Sequence, residues 1–347
     1  MANTQPSPDN PPAVSNKAAA IEELRPVYAL VEEDFRAVNA LIPSKLTSDV
    51  DLVEEISRYI VDSGGKRLRP LMVLLVSRAL NYEGDKHLQL AAIIEFLHTA
   101  TLLHDDVVDH SGMRRGRLTA NEKWGNAPSV LVGDFLYSRA FQLMVEVGSM
   151  DIMAVLSAAT NTIAEGEVMQ LANVGNLAIS ETQYREVIRC KTALLFEAAT
   201  HTGALLAAAG QHCSAAEVNA ARRFGCHFGL TFQLVDDWLD YTSDAATMGK
   251  NAGDDLAEGK LTLPLIYALE HASAADAEFI RAAVSAKSAE NLAQILTIVR
   301  SCGALEYTHQ AAVAEVEKAL TCIDALPPGP YVEALRTVTH YSTARLF

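Results

Sequence analysis

The chain has 347 residues, half of them hydrophobic, and a formal net charge of −15 from 28 basic and 43 acidic residues. That length can bury one large core, and that charge argues against nucleic acid as a partner while leaving room for an anionic substrate wherever basic residues cluster. Five scattered cysteines, Cys190, Cys213, Cys226, Cys302 and Cys322, with no Cys-x-x-Cys spacing, point to reduced thiols in a cytoplasmic protein and against a disulfide framework or a zinc site.

Residues 1–17 are rich in Pro, Asn and Ser, lack an apolar core and contain no arginine. They read as a disordered tail and not as a signal or transit peptide. From 18 to 347 the chain reads as one all-α domain: Ala and Leu are abundant and strand-like alternation is scarce. No apolar run reaches the roughly 18–20 residues of a membrane span. Leu24, Val27, Leu30, Val31, Phe35 and Val38 recur at helical spacing and predict a first helix over 18–41. A second helix over 51–62 is broken by Ser63, Gly64 and Gly65. Lys66, Arg67 and Arg69 then form the densest basic patch, and a helix begins at or just after Pro70. Open glycine amides, a helix N-terminus and three cations suit a phosphate, although a basic turn alone is more often simply solvated.

The helix predicted over 87–109 ends in an acidic motif, Asp105, Asp106 and Asp109. Positions i and i+4 stack on one helix face, and like charges there destabilise an isolated helix. A hard divalent cation would offset that repulsion. An oxygen-only set without His or Cys suits Mg²⁺ shared with a substrate phosphate. His98 lies two turns earlier on the same face, where a core role and a binding role are both open. Arg114, Arg115 and Arg117 follow the stop at Ser111 and Gly112, either as ion-pair partners of the motif or as donors to the same diphosphate.

Helices are predicted over 128–147, over 151–174 with Glu165, Glu167 and Gln170, and over 181–209. The last places Lys191 beside Thr192 in apolar surroundings, where a buried lysine needs an anion. The helix over 215–241 repeats the acidic spacing with Asp236, Asp237 and Asp240, preceded by Gln233. Lys250 and Lys260 sit in a Gly-rich stretch over 248–264, an ordinary loop or a lid for a phosphate. Beyond it, Ala-rich helices with turns near 286–288, 301–303 and 326–330 read as scaffold. One acidic motif would be a solvated face. Two of them inside apolar helices, where unpaired charge is costly, favour metal.

Gly64, Gly65, Lys66, Arg67, Leu68, Arg69 and Pro70; His98; Asp105, Asp106 and Asp109 with Arg114, Arg115 and Gly116; Lys191 and Thr192; Phe232 and Gln233 before Asp236, Asp237 and Asp240; and Gly249, Lys250 and Pro264 occur in the order seen in trans-prenyltransferases. The chain resembles the trans-polyprenyl diphosphate synthases, and over 129–142 and 163–168 it is similar to their long-chain, bacterial octaprenyl branch. The resemblance implies a single-domain antiparallel helical bundle around a deep central cavity, working as a homodimer, with a peripheral membrane contact for product release. It implies condensation of isopentenyl diphosphate onto an allylic diphosphate, with farnesyl as the primer. The product would be a long all-trans polyprenyl diphosphate, octaprenyl by expectation, for a quinone side chain. Mg²⁺, three ions with substrate bound, would be held by Asp105, Asp106, Asp109, Asp236, Asp237 and Asp240. Arg114, Lys191, Thr192, Gln233, Lys250 and Lys260 would contact the allylic diphosphate. Lys66, Arg69, His98 and Arg115 would hold isopentenyl diphosphate. Asp105, Asp106, Asp109, Lys191, Asp236 and Asp237 form the catalytic set.

The chemistry is consistent with that set. Breaking an allylic C–O bond needs a strongly stabilised leaving diphosphate, a π-nucleophile held in line, and exclusion of water from the cation. One turn below the first motif stand Ala100 and Thr101, both small, where short-chain relatives place an aromatic ring. An isoprene unit of about 4–5 Å is close to one helix turn of about 5.4 Å, so each turn by which the floor recedes admits roughly one more unit. Phe96, Leu97, Phe141, Met144 and Met169 are candidates for that floor, although such a stripe is more often plain core. Two other readings are weaker. A class I terpene cyclase would carry an Asn/Ser/Glu motif in place of the second acidic one, and a non-catalytic partner subunit would have lost one of the two.

Overall fold

A computed structural model describes residues 22, 24–242 and 253–344. The predicted tail and Lys250 lie outside the described residues. A helical stretch over 24–30 turns at Val31 into α1 (Glu32–Ser44), so the single helix predicted over 18–41 is interrupted. α2 (Asp51–Val61) follows. α3 (Leu68–Ala79) starts two residues before Pro70, which places the proline in the first turn, where its missing N–H costs nothing. Arg67 ahead of it takes a left-handed conformation, φ 45°. α4 (Lys86–Val108) ends at the first acidic motif.

Between α4 and the next helices lies a hairpin absent from the sequence-based expectation, β1 (Met113–Arg114) paired antiparallel with β2 (Arg117–Leu118). Arg115 and Gly116 both have positive φ, the backbone that a two-residue hairpin turn requires. α5 (Ala120–Trp124), α6 (Asn126–Val147) and α7 (Met150–Ala172) follow. The segment predicted as one helix over 181–209 is three pieces: α8 (Glu181–Ile188), a π turn (Arg189–Ala193) and α9 (Leu194–Ala209). α10 (Ala215–Asp240) carries the second motif. α11 (Asp254–Glu258), α12 (Leu263–His271), α13 (Ala274–Ala286), α14 (Leu292–Ser301), α15 (Ala304–Ile323) and α16 (Pro330–Ala344) complete the described chain.

α3, α4, α9 and α10 form the inner layer. α3 is apolar almost all round, and Leu71, Met72, Val73, Leu74, Leu75 and Val76 are wholly buried, which only a helix surrounded by others can satisfy. α6 and α7 flank α4 and α9, and α15 lies along α10. A second apolar cluster backs the end of α10, where Leu234, Val235 and Leu239 meet Leu256, Leu261 and Leu263. Capping boxes at Ser180 with Gln183 and at Ser214 with Glu217 satisfy the first amides of α8 and α10 and set where both begin. Among the described residues no helix is long and apolar enough to cross a membrane.

One partly buried ion cluster ties α1 to this inner layer. Arg78 of α3 donates to Asp34 at 2.8 and 2.7 Å, and His87 of α4 lies 3.2 Å from the same carboxylate. Burial opposes the charge on Asp34, but the hydrogen bonds and positive charge of His87 and Arg78 outweigh it and hold the carboxyl well below its usual range. Its stabilisation is therefore full above the ordinary carboxyl pKa and is lost as pH falls through the depressed folded value. Replacing Asp34 by Ala takes the carboxylate from a buried His87 and a partly buried Arg78, which keeps its bond to the Tyr82 carbonyl at 2.8 Å. In denaturant titrations at neutral pH, Asp34→Ala should lose about 2 kcal/mol, and the gap to wild type should narrow in acid.

Candidate active site

Both acidic motifs sit at helix C-termini. Asp105 and Asp106 lie in the last turn of α4 with Asp109 as its cap, and Asp236, Asp237 and Asp240 lie in the last turn of α10. A helix C-terminus carries negative partial charge, so each cluster adds like charge to an already negative pole. Cations from elsewhere in the chain answer it. Lys191, in the π turn, bonds Glu167 of α7 at 2.6 Å and lies 3.9 Å from Asp105. Lys260 lies 3.0 Å from Asp109 and 2.5 Å from Glu258. Turning the Gln170 amide over would let its oxygen accept from Lys191 at 3.3 Å and from Lys260 at 3.1 Å. Burial lowers the charged form of Lys260, but Asp109 and Glu258 more than compensate and hold its ammonium above the usual range. Burial, then Asp105, pushes Glu167 up to about 7.

The middle aspartate of each motif points elsewhere, because position i+1 is rotated about 100° from i on a helix. Asp106 is fully buried, and Arg114 of the hairpin grips it through Nε at 2.9 Å and Nη2 at 2.6 Å. Asp237 is buried as well. The Tyr184 hydroxyl donates to one of its oxygens, and Gln233 Nε2 donates to the other at 2.7 Å. Thr192 in turn donates to Gln233 Oε1 at 2.8 Å. Burial and the neighbouring Asp255 carboxylate push Asp237 up to about 7. Arg114, Thr192 and Gln233, expected on the diphosphate, thus stand on the acidic motifs themselves.

The predicted isopentenyl pocket is assembled from three elements. Arg69 Nη1 is 3.3 Å from His98 Nε2, and its guanidinium lies over the Phe196 ring at 4.3 Å. Burial pushes Arg69 down to about 10. His98 is held well below its usual range by burial and then by Arg69, Arg115 and Arg114, so its imidazole is neutral and Nε2 accepts from the guanidinium. Lys66 lies over the Tyr341 ring at 4.7 Å. Arg115 packs so closely on Gly65 that a Cβ there would stand 2.7 Å from its Nη1. Glu95, 9% exposed, lies 3.9 Å from Arg67. The sequence reading did not assign Glu95, Glu167, Tyr184 or Glu258. A lone acid within Ile93, Ile94, Phe96 and Leu97 was the available signal for the first. Glu167 and Tyr184 are polar side chains of common type whose partners are distant in sequence, and Glu258 stands two residues from Lys260 without a motif to mark it.

Ala100 is wholly buried, and the Thr101 hydroxyl bonds the His98 carbonyl at 2.8 Å. Phe96, Leu97 and Met144 are buried, whereas Phe141 is 36% exposed on α6 and does not lie fully inside. Among the described residues no three acidic, His or Cys side chains converge tightly enough to hold an ion by themselves.

A family model described as polyprenyl synthetase matches residues 50–301. The octaprenyl diphosphate synthase of Escherichia coli strain K12 is 47% identical over 323 residues, which span 93% of this chain and 99% of that protein. The all-trans-nonaprenyl-diphosphate synthase (geranyl-diphosphate specific) of Rhodobacter capsulatus is 45% identical over 94% of this chain and 99% of its own length. The crystal structure of a polyprenyl synthase from Caulobacter crescentus CB15, complexed with calcium and isoprenyl diphosphate, superposes with a TM-score of 0.88 at 41% identity, covering 92% of this chain and 97% of that one.

The π turn is wedged between two glycines. A Cβ on Gly229 of α10 would fall 2.5 Å from Ala193 Cα, and one on Gly166 of α7 would fall 2.8 Å from Cys190 Cβ. Gly229→Ala must therefore displace the backbone that carries Lys191 and Thr192. It should cut turnover at least about tenfold and lower the thermal midpoint by several degrees, as steady-state kinetics and calorimetry would read.

Proposed function

Since the chain belongs to the polyprenyl synthetase family, we propose that it condenses isopentenyl diphosphate onto an allylic diphosphate, with farnesyl as the primer, to give a long all-trans polyprenyl diphosphate. It is an enzyme, a chain-elongating prenyltransferase. Octaprenyl is the product length we favour, for a quinone side chain. The observation that carries the reading is that two consecutive residues, Lys191 and Thr192, reach the two acidic motifs, one through Asp105 and the other through Gln233 to Asp237. The motifs therefore bound one site.

The donor set fits Mg²⁺: carboxylate oxygens only, at two negative helix ends, with no His or Cys among them. Asp105 and Asp109 on one side and Asp236 and Asp240 on the other would hold it, with Asp106 and Asp237 completing each set from behind. When bound, the metal neutralises charge that develops on the leaving diphosphate. The chain supplies the rest. Lys191 and Lys260, now shared among Glu167, Asp105, Asp109 and Glu258, have ammonium groups that can turn onto the allylic diphosphate without desolvating a new charge. Arg69, Lys66 and Arg115 bind isopentenyl diphosphate, and the neutral His98 orients Arg69. The C–O bond to the primer then breaks, the isopentenyl double bond attacks the allylic carbon, and a proton leaves to the departing diphosphate. The apolar inner layer keeps water from the cation.

Relatives of similar identity are named for eight, nine and ten units. Overall likeness therefore does not set the length; a few interior side chains do. Incubation with Mg²⁺, labelled isopentenyl diphosphate and farnesyl diphosphate should give a ladder that ends at eight units. Release of a hydrocarbon from the allylic substrate alone would overturn the synthase reading. Ala100→Phe fills the wholly buried position one turn below the first motif and should truncate the ladder to short products.

We further propose that residues 18–347 form one domain and that it pairs with a second copy through α6 and α7. Leu131, Val145, Val168 and Leu171 are 59–68% exposed on these neighbouring helices. A face of that kind is costly in water unless covered. Leu131→Glu with Val168→Glu should shift the sedimentation coefficient from dimer to monomer. The reading also places the enzyme in the cytoplasm, touching the membrane peripherally to deliver a product with a long apolar tail.

A further inference from the structure

α8 places one more side chain against the acidic motifs than the mechanism above uses. Tyr184 is 3% exposed, and its hydroxyl donates to Asp237. Gln233 donates to the other oxygen of the same carboxylate at 2.7 Å. Asp237 therefore meets one donor from its own helix and one from across the site. The Tyr184 side is fixed from outside. Arg185 bonds Glu181 at 2.6 Å and reaches the buried Glu315 of α15 at 3.6 Å, while Tyr307 of α15 donates to Glu181 at 2.7 Å. These bonds anchor α8 to α15, and α15 packs along α10, so the tyrosine is held whether or not a ligand is present.

Asp237 stands between Asp236 and Asp240 in the final turn of α10, where the helix pole and the crowded carboxylates both favour fraying. A hydrogen bond from outside the helix counters that tendency. We propose that Tyr184 is a positioning residue: by anchoring Asp237 it holds the last turn of α10 in the form that binds the metal–diphosphate ligand. This role presupposes the metal–diphosphate reading of the site. Phe at the same position would fill nearly the same volume, so packing alone predicts no change in ligand affinity. Loss of a hydrogen bond to a charged carboxylate predicts about a tenfold loss or more.

The test is Tyr184→Phe in the full chain. Mg²⁺ is titrated in the presence of inorganic diphosphate, with the shift in thermal midpoint as the readout, and KM is measured for each substrate. The half-saturating Mg²⁺ concentration should rise about tenfold and KM for the allylic diphosphate should rise with it, while KM for isopentenyl diphosphate, bound by Arg69 and Arg115, stays put. A titration that superposes on a responsive wild type overturns the role of Tyr184 and leaves the function intact. A parallel rise in both KM values with a lowered midpoint before Mg²⁺ is added also overturns it, in favour of a plain core tyrosine. A wild type that shows no Mg²⁺ response with diphosphate removes the metal–diphosphate reading and this role together. A second variant guards against misfolding. If Tyr184 and Gln233 hold one carboxylate, Tyr184→Phe with Gln233→Leu should lose less than the product of the two single losses, and independent multiplication would overturn the shared anchor.

Discussion

Six aspartates at the C-terminal ends of two helices are the constraint from which the rest follows. Each end is a negative pole before any side chain is added, and each carries three carboxylates within five residues. The fold contains this charge in two ways. Arg114 grips Asp106 at the first end, and Tyr184 with Gln233 holds Asp237 at the second. Lys191 and Lys260 then lie among the remaining carboxylates and two glutamates. The site therefore brings its own cations to the acidic motifs.

The π turn is what makes the two ends one site. A continuous α-helix over 181–209 would present successive residues about 100° apart with no local widening, whereas the turn adds a residue to one loop of the helix. It sends Lys191 toward α4 and Thr192 toward α10. Gly166 and Gly229 allow it, because a methyl group on either would overlap the turn. The irregular backbone packs closely against α7 on one side and α10 on the other.

The Arg69–His98 pair follows a different electrostatic rule. The two are packed together out of most of the solvent, and only one of them can be charged without a second anion nearby. The guanidinium keeps its proton and the imidazole gives its up, so the pair has a fixed donor and a fixed acceptor. Glu95 balances the surrounding arginines from inside the apolar run of α4. One turn below the first acidic motif the wholly buried residue is the small Ala100.

The sequence by itself determined the all-helical class, the two acidic motifs, the basic patch before α3 and the small residues below the first motif. Each of these is a local pattern: a period of 3.6, a pair at i and i+4, three cations after two glycines. The family likewise follows from motif order, which is linear information. Only the tertiary structure decided which charge meets which. The break at the π turn depends on Gly166 and Gly229, 23 and 40 residues away from Arg189 in sequence. The pairing of Lys260 with Asp109 and the reach of Tyr184 to Asp237 join distant segments, and the hairpin folds Arg114 back onto Asp106. A hydrogen bond is specified by the position of two groups in space. The spacing of residues along one helix fixes only the first of those positions, and packing of the whole bundle fixes the second.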